Sequence, residues 1–345
     1  MLDIKKIFEI SGDVVVAGVP DGYDGVVLDR FIQGGKSVLF VARDDRRIAA
    51  IESSLEFFAA ETELVKFPAW DCLPYDRVSP KNDIIAERVD ALTNLADTSN
   101  AQPRIVLTSV AALLQRVPAC KSLKDATLNF GVGGETLRDI LLTYLENNGY
   151  GRSETVMEPG EFAIRGGIVD VYPPGFEEPL RLDFFGDELD SIRTFEPFSQ
   201  RTSGGCESFT LKPFNELSLN ENAISLFRSG YRALFGAVSD EDPLYESISK
   251  GRTQAGMEHW LPLFHEKMGT LLDYIPNFAI IFDYQAEEAA VSRWELISEC
   301  YESRSDMKVR GLAVSETTYN PLPINDLYLS PENLNVILAE HKKIT

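Results

Sequence analysis

Short apolar runs alternate with amphipathic patterns through the first 120 residues of this 345-residue chain. The runs are rich in Val, Leu, Ile and Phe, which is typical of strands buried on both faces of a sheet. The predicted strands are 14–17, 37–42, 64–67 and 104–108. Between them, apolar residues recur at helical spacing over 46–59 and 84–96, and 110–117 is predicted to form a short helix. This alternation predicts a parallel, doubly wound sheet.

The pattern changes after Pro118 and later returns. A helix is predicted over 135–147, and from 150 to 198 the apolar period falls to two, between glycine and proline turns, which indicates β structure. Helical patterns resume at 223–235 and 291–302, on either side of one more apolar strand, 278–282. The α/β region therefore closes around an inserted β-rich α+β domain. From residue 316 onward, the tail is expected to be a fragment edge rather than a complete domain.

A glycine-rich turn follows the first predicted strand, as in a phosphate-binding loop with the pattern G-x-x-x-x-G-K-[ST]. Aligned from Gly18, that pattern places Tyr23 at the second glycine, Asp24 at the lysine and Gly25 at the hydroxyl residue. The side chain of Tyr23 obstructs the close approach of the backbone to phosphate, and the carboxylate of Asp24 repels phosphate. Gly25 lacks the hydroxyl that would bind Mg²⁺. We expect a degenerate, non-functional loop on a helicase-like parallel sheet. An ordinary glycine-rich turn is the alternative.

The acidic partner of such a loop is also incomplete. The strand 278–282 ends at Asp283, but Tyr284 follows where a glutamate would activate water. Asp283 is therefore interpreted as a degenerate Walker B residue. With the phosphate cradle and the base both missing, we expect no catalytic residue and no ATP hydrolysis in this chain.

Composition restricts the classes of function. There are 33 basic and 54 acidic residues, a net charge of −21, which disfavours broad binding to nucleic acid. The four cysteines lack C-x-x-C spacing, so free thiols in a reducing cytoplasm are expected, with disulfide pairing as the alternative. The three histidines form no metal motif. No membrane span or signal peptide is predicted, and the expected location is the cytoplasm.

Several segments resemble the N-terminal region of bacterial transcription-repair coupling factors (Mfd proteins), a region similar to the excision-repair protein UvrB. The resemblance is carried by FPAWDCLPYD at 67–76, VMEPGE at 156–161, IRGGIVD at 164–170 and PLRLDFFGDELDSIR at 179–193. It implies UvrB-like domains 1a, 2 and 1b at 1–125, 126–212 and 213–345, with domain 2 as the UvrA-binding domain.

The resemblance also implies a larger parent protein. Beyond this fragment, the parent would carry an RNA-polymerase-binding domain and a double-stranded-DNA translocase that uses ATP and Mg²⁺. No cofactor is expected in the fragment itself. UvrB probes damaged DNA with an aromatic hairpin, but only a short segment separates Tyr75 from the helix predicted near Ile84, so damage probing is not expected. The resemblance further implies that a C-terminal domain of the parent masks the UvrA-binding surface.

One predicted strand of the inserted domain, 180–185, carries candidate binding residues. Alternation places Leu180, Leu182 and Phe184 on the core face, and Arg181, Asp183 and Phe185 on the outer face. The arginines of this domain could pair internally, or an Arg, Arg and aromatic set could form a protein-binding hot spot. The resemblance places the UvrA contact on Arg165, Arg181 and Phe185.

A non-catalytic UvrA-docking module is therefore the leading interpretation. Two alternatives remain from the sequence: a nucleotide hydrolase that binds ATP by another route, and a UvrB-like subunit that binds DNA. The adverse residues Tyr23 and Asp24 weigh against the first, and the low basic content and short segment after Tyr75 weigh against the second.

Overall fold

A computed structural model describes residues 4–10, 12–20, 22–99, 102–133, 138–238, 242–310 and 319–345. Its helices are α1 (Ile4–Glu9), α2 (Asp24–Gln33), α3 (Asp45–Phe58), α4 (Asn82–Ala96), α5 (Val110–Leu113), α6 (Cys120–Asp125), α7 (Arg138–Asn147), α8 (Glu221–Phe235), α9 (Pro243–Ser249), α10 (Ala286–Arg310), α11 (Ile324–Leu327) and α12 (Pro331–Leu338). Two 3₁₀ segments, Met257–Phe264 and Leu271–Tyr274, lie between α9 and α10.

The strands fall into two large sheets and two small ribbons. They are β1 (Val38–Ala42), β2 (Leu64–Phe67), β3 (Ile105–Ser109), β4 (Val117–Pro118), β5 (Leu128–Gly131), β6 (Gly151–Arg152), β7 (Glu161–Arg165), β8 (Ile168–Val171), β9 (Leu180–Phe185), β10 (Glu188–Phe195), β11 (Thr202–Cys206), β12 (Ser208–Leu211), β13 (Met268–Gly269), β14 (Ala279–Phe282) and β15 (Lys343–Ile344). The ribbons pair β12 with β5 and β13 with β4.

The first large sheet is parallel, in the order β15-β14-β1-β3-β2. Every residue of β1, β3 and β14 is buried. Alternate residues face two different cores: Phe40 packs toward α2 and α3, whereas Leu39 and Val41 pack toward α4 and α12. Helices thus cover both faces, and the doubly wound α/β prediction is confirmed.

The predicted first strand, 14–17, is wrong as a strand buried on both faces. Val14 makes a single parallel bridge to Ile344, Val16 donates one backbone hydrogen bond to Thr345, and Val15 is 75% exposed. Its neighbour β15 has only two residues, so the segment lies at the margin of the sheet and lacks a full ladder. The apolar run reads as a buried strand, but its position in the sheet leaves part of it in solvent.

Several predicted helices differ in their ends. Helix α5 stops at Leu113, four residues before the predicted end at Val117, because Val117 pairs with Gly269 in the ribbon. Helix α10 begins at Ala286, five residues before the prediction, and is longer. The predicted helix 135–147 is found as α7, although 135–137 lie outside the described residues.

The described part of the tail, 319–345, packs onto the α/β fold. Strand β15 adds to the parallel sheet beside β14. Leu334 and Leu338 of α12 are buried in the same core as β1 and β14. Residues 319–345 thus contribute a strand and core side chains to this sheet. Residues 316–318 of the predicted tail lie outside the described ranges.

The second large sheet has the order β11-β10-β9-β8-β7-β6, and all its pairs are antiparallel except β6 with β7. This confirms the period-two pattern predicted from 150 to 198. Its inner face packs against α7 and the β5–β12 ribbon, and the same core includes Ile85 and Ala86 of α4. Helix α4 thus supports both sheets.

A buried ion pair ties α4 to the segment that leaves the inserted domain. Arg88 donates from Nε and Nη2 to the two carboxylate oxygens of Glu216, at 2.5 and 3.2 Å, and from Nη1 to the Pro68 carbonyl at 2.7 Å. Its guanidinium lies 4.3 Å from the centre of the Phe67 ring. Both charged groups are buried, so each one needs the opposite charge of the other to offset the cost of its removal from water.

A buried histidine lies in a helical core beside this junction. The imidazole of His259 packs against Trp70 and Tyr75, and its Nε2 lies 4.0 Å from Cys72 Sγ. Burial lowers the pKa of His259 to about 4 and raises the pKa of the Cys72 thiol to about 12. Both groups are therefore neutral at pH 7, and the pair is not an activated nucleophile.

Breaking the Arg88–Glu216 pair should strongly destabilise the protein. In Arg88→Ala the buried Glu216 carboxylate loses its cation, and we expect a loss of about 3–5 kcal/mol in the free energy of unfolding, measured by urea denaturation. The double variant Arg88→Met/Glu216→Leu should recover most of this loss. Glu246→Ala, which removes an exposed pair with Lys250, is the control and should change nothing measurable. A small effect of Arg88→Ala would contradict the assignment.

Acid should destabilise the fold through His259. Its pKa of about 4 in the folded chain lies below the ordinary 6.5, so between these values the unfolded chain binds a proton that the folded chain excludes. The free energy of unfolding should therefore fall as the pH drops from 6.5 to 4, by up to about 3 kcal/mol from this group. Denaturation at several pH values should show a shallower dependence for His259→Gln than for the parent chain. Equal slopes for the parent chain and His259→Gln would disprove this.

Candidate docking face and degenerate nucleotide site

The outer face of the inserted sheet collects the predicted binding residues. Along β9, Leu180, Leu182 and Phe184 are buried in the core, while Arg181 and Asp183 are half-buried and Phe185 is exposed. The predicted alternation is confirmed. The period of two thus delivers two charged groups and one ring to the same surface.

The strand register brings residues from neighbouring strands beside Arg181. It lies opposite Asp170 on β8 and Arg193 on β10. Asp183 lies opposite Ile168, which in turn lies opposite Arg165 on β7. Directly opposed residues share a face, so Arg165, Asp170, Arg181 and Arg193 occupy one continuous outer surface, here called the docking face together with Asp183 and Phe185.

Arg181 is held inside this surface by a two-point ion pair. Its Nε and Nη2 donate to the two carboxylate oxygens of Asp170 at 2.7 and 2.9 Å, and Asp170 is only 1% exposed. The guanidinium also stacks 4.4 Å from the Phe195 ring centre and donates to the Gln200 carbonyl at 3.3 Å. The hydrogen bond to Asp170 raises the pKa of Arg181. Of the two interpretations of the arginines, internal pairing describes Arg181.

Arg165 and Phe185 remain accessible on the same face. The Arg165 side chain is 46% exposed; its Nη2 donates to the Glu154 carbonyl at 3.0 Å, and its Nη1 lies 3.9 Å from Asp170. Phe185 is 84% exposed at the end of β9, where Gly186 turns the chain with a φ of 65°. The structure therefore places the three predicted residues on one face. Arg165 and Phe185 are accessible there, whereas Arg181 is held by its ion pair with Asp170.

Sequence reasoning missed Asp170 and the partner of Asp183. Asp170 anchors Arg181. Asp183, which alternation along β9 placed on the outer face, pairs with Arg193 at 2.9 Å, both side chains being partly exposed. Their partners depend on the register between strands, which a single sequence does not state.

The residues of the degenerate phosphate loop lie at the start of α2. Gly18 has a φ of 79°, Tyr23 is the exposed residue that precedes the helix, and Asp24 is its first residue. Gly25 is buried against α3, where a Cβ atom would lie 2.5 Å from Ser54 Oγ. The glycine at position 25 thus serves close helix packing.

Arg47 of α3 joins the two degenerate motifs. Its Nη2 donates to Asp24 at 2.7 Å and its Nε donates to Asp283 at 3.1 Å. Burial opposes the charged guanidinium, but the attraction of both carboxylates outweighs it and raises the pKa of Arg47. The structure therefore brings Asp24 and Asp283 together through a cation that sequence reasoning did not identify. The signal in the sequence that could have indicated this role is the position of Arg47 in the first turn of the predicted helix 46–59.

Other predicted features of the chain are placed as follows. Residues 68–81, between β2 and α4, contain no strand. The four cysteines are half-buried free thiols. Within the described ranges, side chains of His, Cys, Asp and Glu nowhere gather in a group of three suited to a metal ion. None of the helices described here has the length and apolar character that a bilayer crossing requires.

Comparison with known proteins places these features in a family context. Residues 128–217 match the model of the UvrB interaction domain. A transcription-repair-coupling factor of Haemophilus influenzae is 32% identical over 96% of this chain and 28% of its own length. The Escherichia coli protein of that name is 33% identical over 86% of the chain and 25% of its length, and that of Bacillus subtilis is 28% identical over 72% and 22%.

The chain thus spans about a quarter of the length of these relatives. The matched UvrB interaction domain includes both β7 and β9, and so includes Arg165, Arg181 and Phe185. The resemblance indicated by the sequence motifs is confirmed: the chain is similar to about a quarter of the length of transcription-repair-coupling factors, and its residues 128–217 match the UvrB interaction domain.

Proposed function

We propose that this chain is a non-catalytic docking module that recruits UvrA in transcription-coupled nucleotide excision repair. The observation that carries the proposal is that one sheet face presents two accessible side chains, Arg165 and Phe185, together with the ion pair of Asp170 and Arg181. The similarity to transcription-repair-coupling factors and the matched UvrB interaction domain support the biological setting.

The composition of the docking face suits recognition of a protein. Hot spots of protein interfaces are enriched in arginine and aromatic residues. Phe185 can bury its whole ring in a partner pocket, and Arg165 can offer N–H donors to a carboxylate. The face also carries Asp170 and Asp183, so it lacks the uniform positive charge that a phosphate backbone requires.

Arg181 contributes to this surface chiefly as a scaffold. Two hydrogen bonds to one carboxylate fix the plane of the guanidinium, and the ring of Phe195 packs against the guanidinium. A group held in this way loses little conformational entropy on binding. Arg165, which lies beside the same Asp170, is presented on a preorganised surface.

The proposal that the fragment is non-catalytic rests on the Arg47 bridge. A triphosphate site needs a cation free to bind phosphate and an acid free to bind Mg²⁺. Here Asp24 stands at the cation position, and Asp283 is already bound by Arg47. The Arg47 guanidinium is thus bound by two carboxylates and is not free to bind phosphate.

The parent protein is proposed to act in the cytoplasm as an ATP-dependent translocase on double-stranded DNA that removes stalled RNA polymerase. Regions outside this fragment would contact polymerase and DNA. A C-terminal domain of the parent is proposed to mask the docking face until the motor engages. The fragment would then bind UvrA more tightly than the whole protein does.

Truncating the accessible residues should weaken UvrA binding without loss of folding. We expect Arg165→Ala and Phe185→Ala each to cost about 2 kcal/mol or more of binding free energy, roughly 30-fold in affinity. Calorimetric titration with purified UvrA measures this. Phe57→Ala, which truncates another exposed ring on α3, is the matched control and should bind like the parent fragment. Unchanged affinity for both docking-face variants would remove the assignment.

Arg181→Ala needs a separate readout in the same experiment. In this variant the buried Asp170 carboxylate would lose the guanidinium that binds both of its oxygens. Its melting temperature should therefore fall along with its affinity, whereas Arg165→Ala should retain the melting temperature of the parent.

The fragment should not bind nucleotide. Titration with Mg·ATP up to about 1 mM, the upper range of ordinary substrate constants, should show no saturable heat and no hydrolysis. The reason is that Asp24 repels phosphate and Arg47 is already paired. Saturable binding that is lost in Gly18→Val would disprove this and favour the nucleotide-hydrolase alternative.

A further inference from the structure

The turn between β10 and β11 carries a second exposed phenylalanine of the inserted domain. The Phe198 side chain is 86% exposed and is as accessible as Phe185 on the docking face. Phe195, three residues earlier in the chain, is fully buried. A phenylalanine ring is among the largest apolar groups that a protein partner can remove from water. The position of this turn relative to the docking face therefore decides whether the same partner can reach both rings.

Gln200 joins this turn to the docking face. Arg181 donates from Nη1 to the Gln200 backbone carbonyl at 3.3 Å and from Nη2 to the Gln200 side-chain oxygen at 3.4 Å. The same guanidinium is held by Asp170 and packs against the ring of Phe195. The ion pair of Arg181 with Asp170 therefore also positions the turn, and the docking face continues from Arg181 into residues 196–200.

A small apolar core shows that the turn lies on the outer side of the sheet. Val156, Ala163 and Phe195 are buried together, apart from the inner core of the inserted domain. Ala163 lies opposite Asp170, which lies opposite Arg181. Directly opposed residues share a face, so this small core belongs to the same side as the docking face. The turn begins directly after Phe195 and lies on that side as well.

The side-chain amide of Gln200 brings a second exposed apolar residue to the turn. Its Nε2 donates to the Val156 carbonyl at 3.1 Å and to the Pro197 carbonyl at 2.6 Å. These carbonyls belong to the peptide groups that precede Met157 and Phe198. Because both oxygens contact one nitrogen, the backbone of Met157 lies close to that of Phe198. Met157 is partly exposed, so this end of the docking face presents a methionine and a phenylalanine together.

The backbone of the turn is held by further hydrogen bonds. The Glu196 carboxylate accepts from the N–H groups of Phe198 and Ser199 at 3.0 and 2.6 Å. The Glu196 carbonyl accepts from the Gln200 N–H at 2.8 Å, and the Glu196 N–H donates to the Arg201 carbonyl at 3.0 Å. A ring carried on a backbone that is already fixed loses less conformational freedom on binding.

Phe185 and Phe198 mark opposite ends of one surface. Phe185 lies opposite Glu188 at the start of β10, and Phe198 follows the end of that strand at Phe195. At about 3.3 Å per residue, the length of the strand separates the two rings by roughly 20 Å. An interface of standard size, about 800 Å² on each partner, is wide enough to cover both ends.

We propose that Phe198, with Met157 beside it, is a second apolar anchor of the docking face, and that one protein partner covers both ends of the face at once. The partner offers an apolar pocket for Phe198 in addition to the one that receives Phe185. Aromatic residues and methionine are enriched in protein interfaces. This inference rests on the proposed function, because UvrA is the partner to which it applies. It adds a specificity determinant, since a protein that contacts only the Phe185 end would bind more weakly.

Truncation of Phe198 tests the second anchor. We expect Phe198→Ala to weaken the binding of UvrA to the fragment at least about tenfold in calorimetric titration. Phe198→Leu should retain most of the affinity, because it keeps an apolar side chain. Both variants should keep the melting temperature of the parent, because the ring lies in solvent. Phe57→Ala, which removes an equally exposed ring on α3, is the matched control and should bind like the parent.

The double variant Phe185→Ala/Phe198→Ala tests whether both rings contact the same partner molecule. Residues that lie far apart and share no contact have nearly additive effects on free energy. The loss of affinity should therefore equal the product of the two single fold-changes. A double variant that binds no more weakly than Phe185→Ala would show that the partner does not use Phe198, and would overturn the inference.

The same titrations separate this inference from the proposed function. If Phe198→Ala binds like the parent while Arg165→Ala and Phe185→Ala bind weakly, the second anchor is wrong and the proposed function stands. A parent fragment that does not bind UvrA removes both. A loss of affinity accompanied by a lower melting temperature would assign Phe198 to folding and overturn the inference.

Sedimentation of the free fragment addresses the other possible occupant of this surface. A monomer is expected, because the proposed partner is a different protein. A dimer that Phe198→Ala dissociates would place a second copy of the chain on Phe198 and would overturn the inference.

Discussion

The buried pair of Arg88 with Glu216 is the constraint on which the arrangement of the two sheets depends. Arg88 lies on α4, whose Leu92 and Leu95 pack into the parallel-sheet core and whose Ile85 and Ala86 pack into the core of the inserted domain. Glu216 lies just beyond β12, where the chain leaves that domain. One ion pair therefore fixes the exit of the insertion to the helix that both cores share. The inserted sheet is consequently attached by packing and charge, in addition to its two chain connections.

The same kind of ion pair occurs at the junction of the two sheets and at both candidate sites. A guanidinium binds a buried carboxylate at Arg88 with Glu216 and at Arg181 with Asp170, and Arg47 binds both Asp24 and Asp283. A planar fork can satisfy two oxygens in a fixed geometry, which an ammonium cannot do. Such pairs add little net stability compared with apolar packing, yet breaking one is costly. They specify position, which is what a docking surface requires.

The sequence predicted the interior of the fold better than its margins. Strands β1, β2 and β3 match their predicted runs to within a residue. For β1 and β3 the reason is that strands buried on both faces must be largely apolar throughout. The segment 14–17 has the same composition but lies beside the two-residue β15, so burial did not follow. The candidate site divides in the same way. Alternation put Arg181 and Phe185 on the correct face, but the partner of Arg181 is 11 residues away on another strand, and Arg47 meets Asp283 across 236 residues.

The contrast between Arg165 and Arg181 shows why residue type alone does not assign a role. Both lie on the same face, and both approach the same carboxylate of Asp170, one at 3.9 Å and the other at 2.7 Å. The closer arginine has satisfied that charge and has a ring stacked against it, so it has little left to offer a partner. The more distant one, Arg165, retains N–H donors in solvent on the same face as the exposed Phe185. An interface needs both a rigid support and free donors. The strand register places Arg181, and not Arg165, directly opposite Asp170, and so decides which of the two arginines has which role.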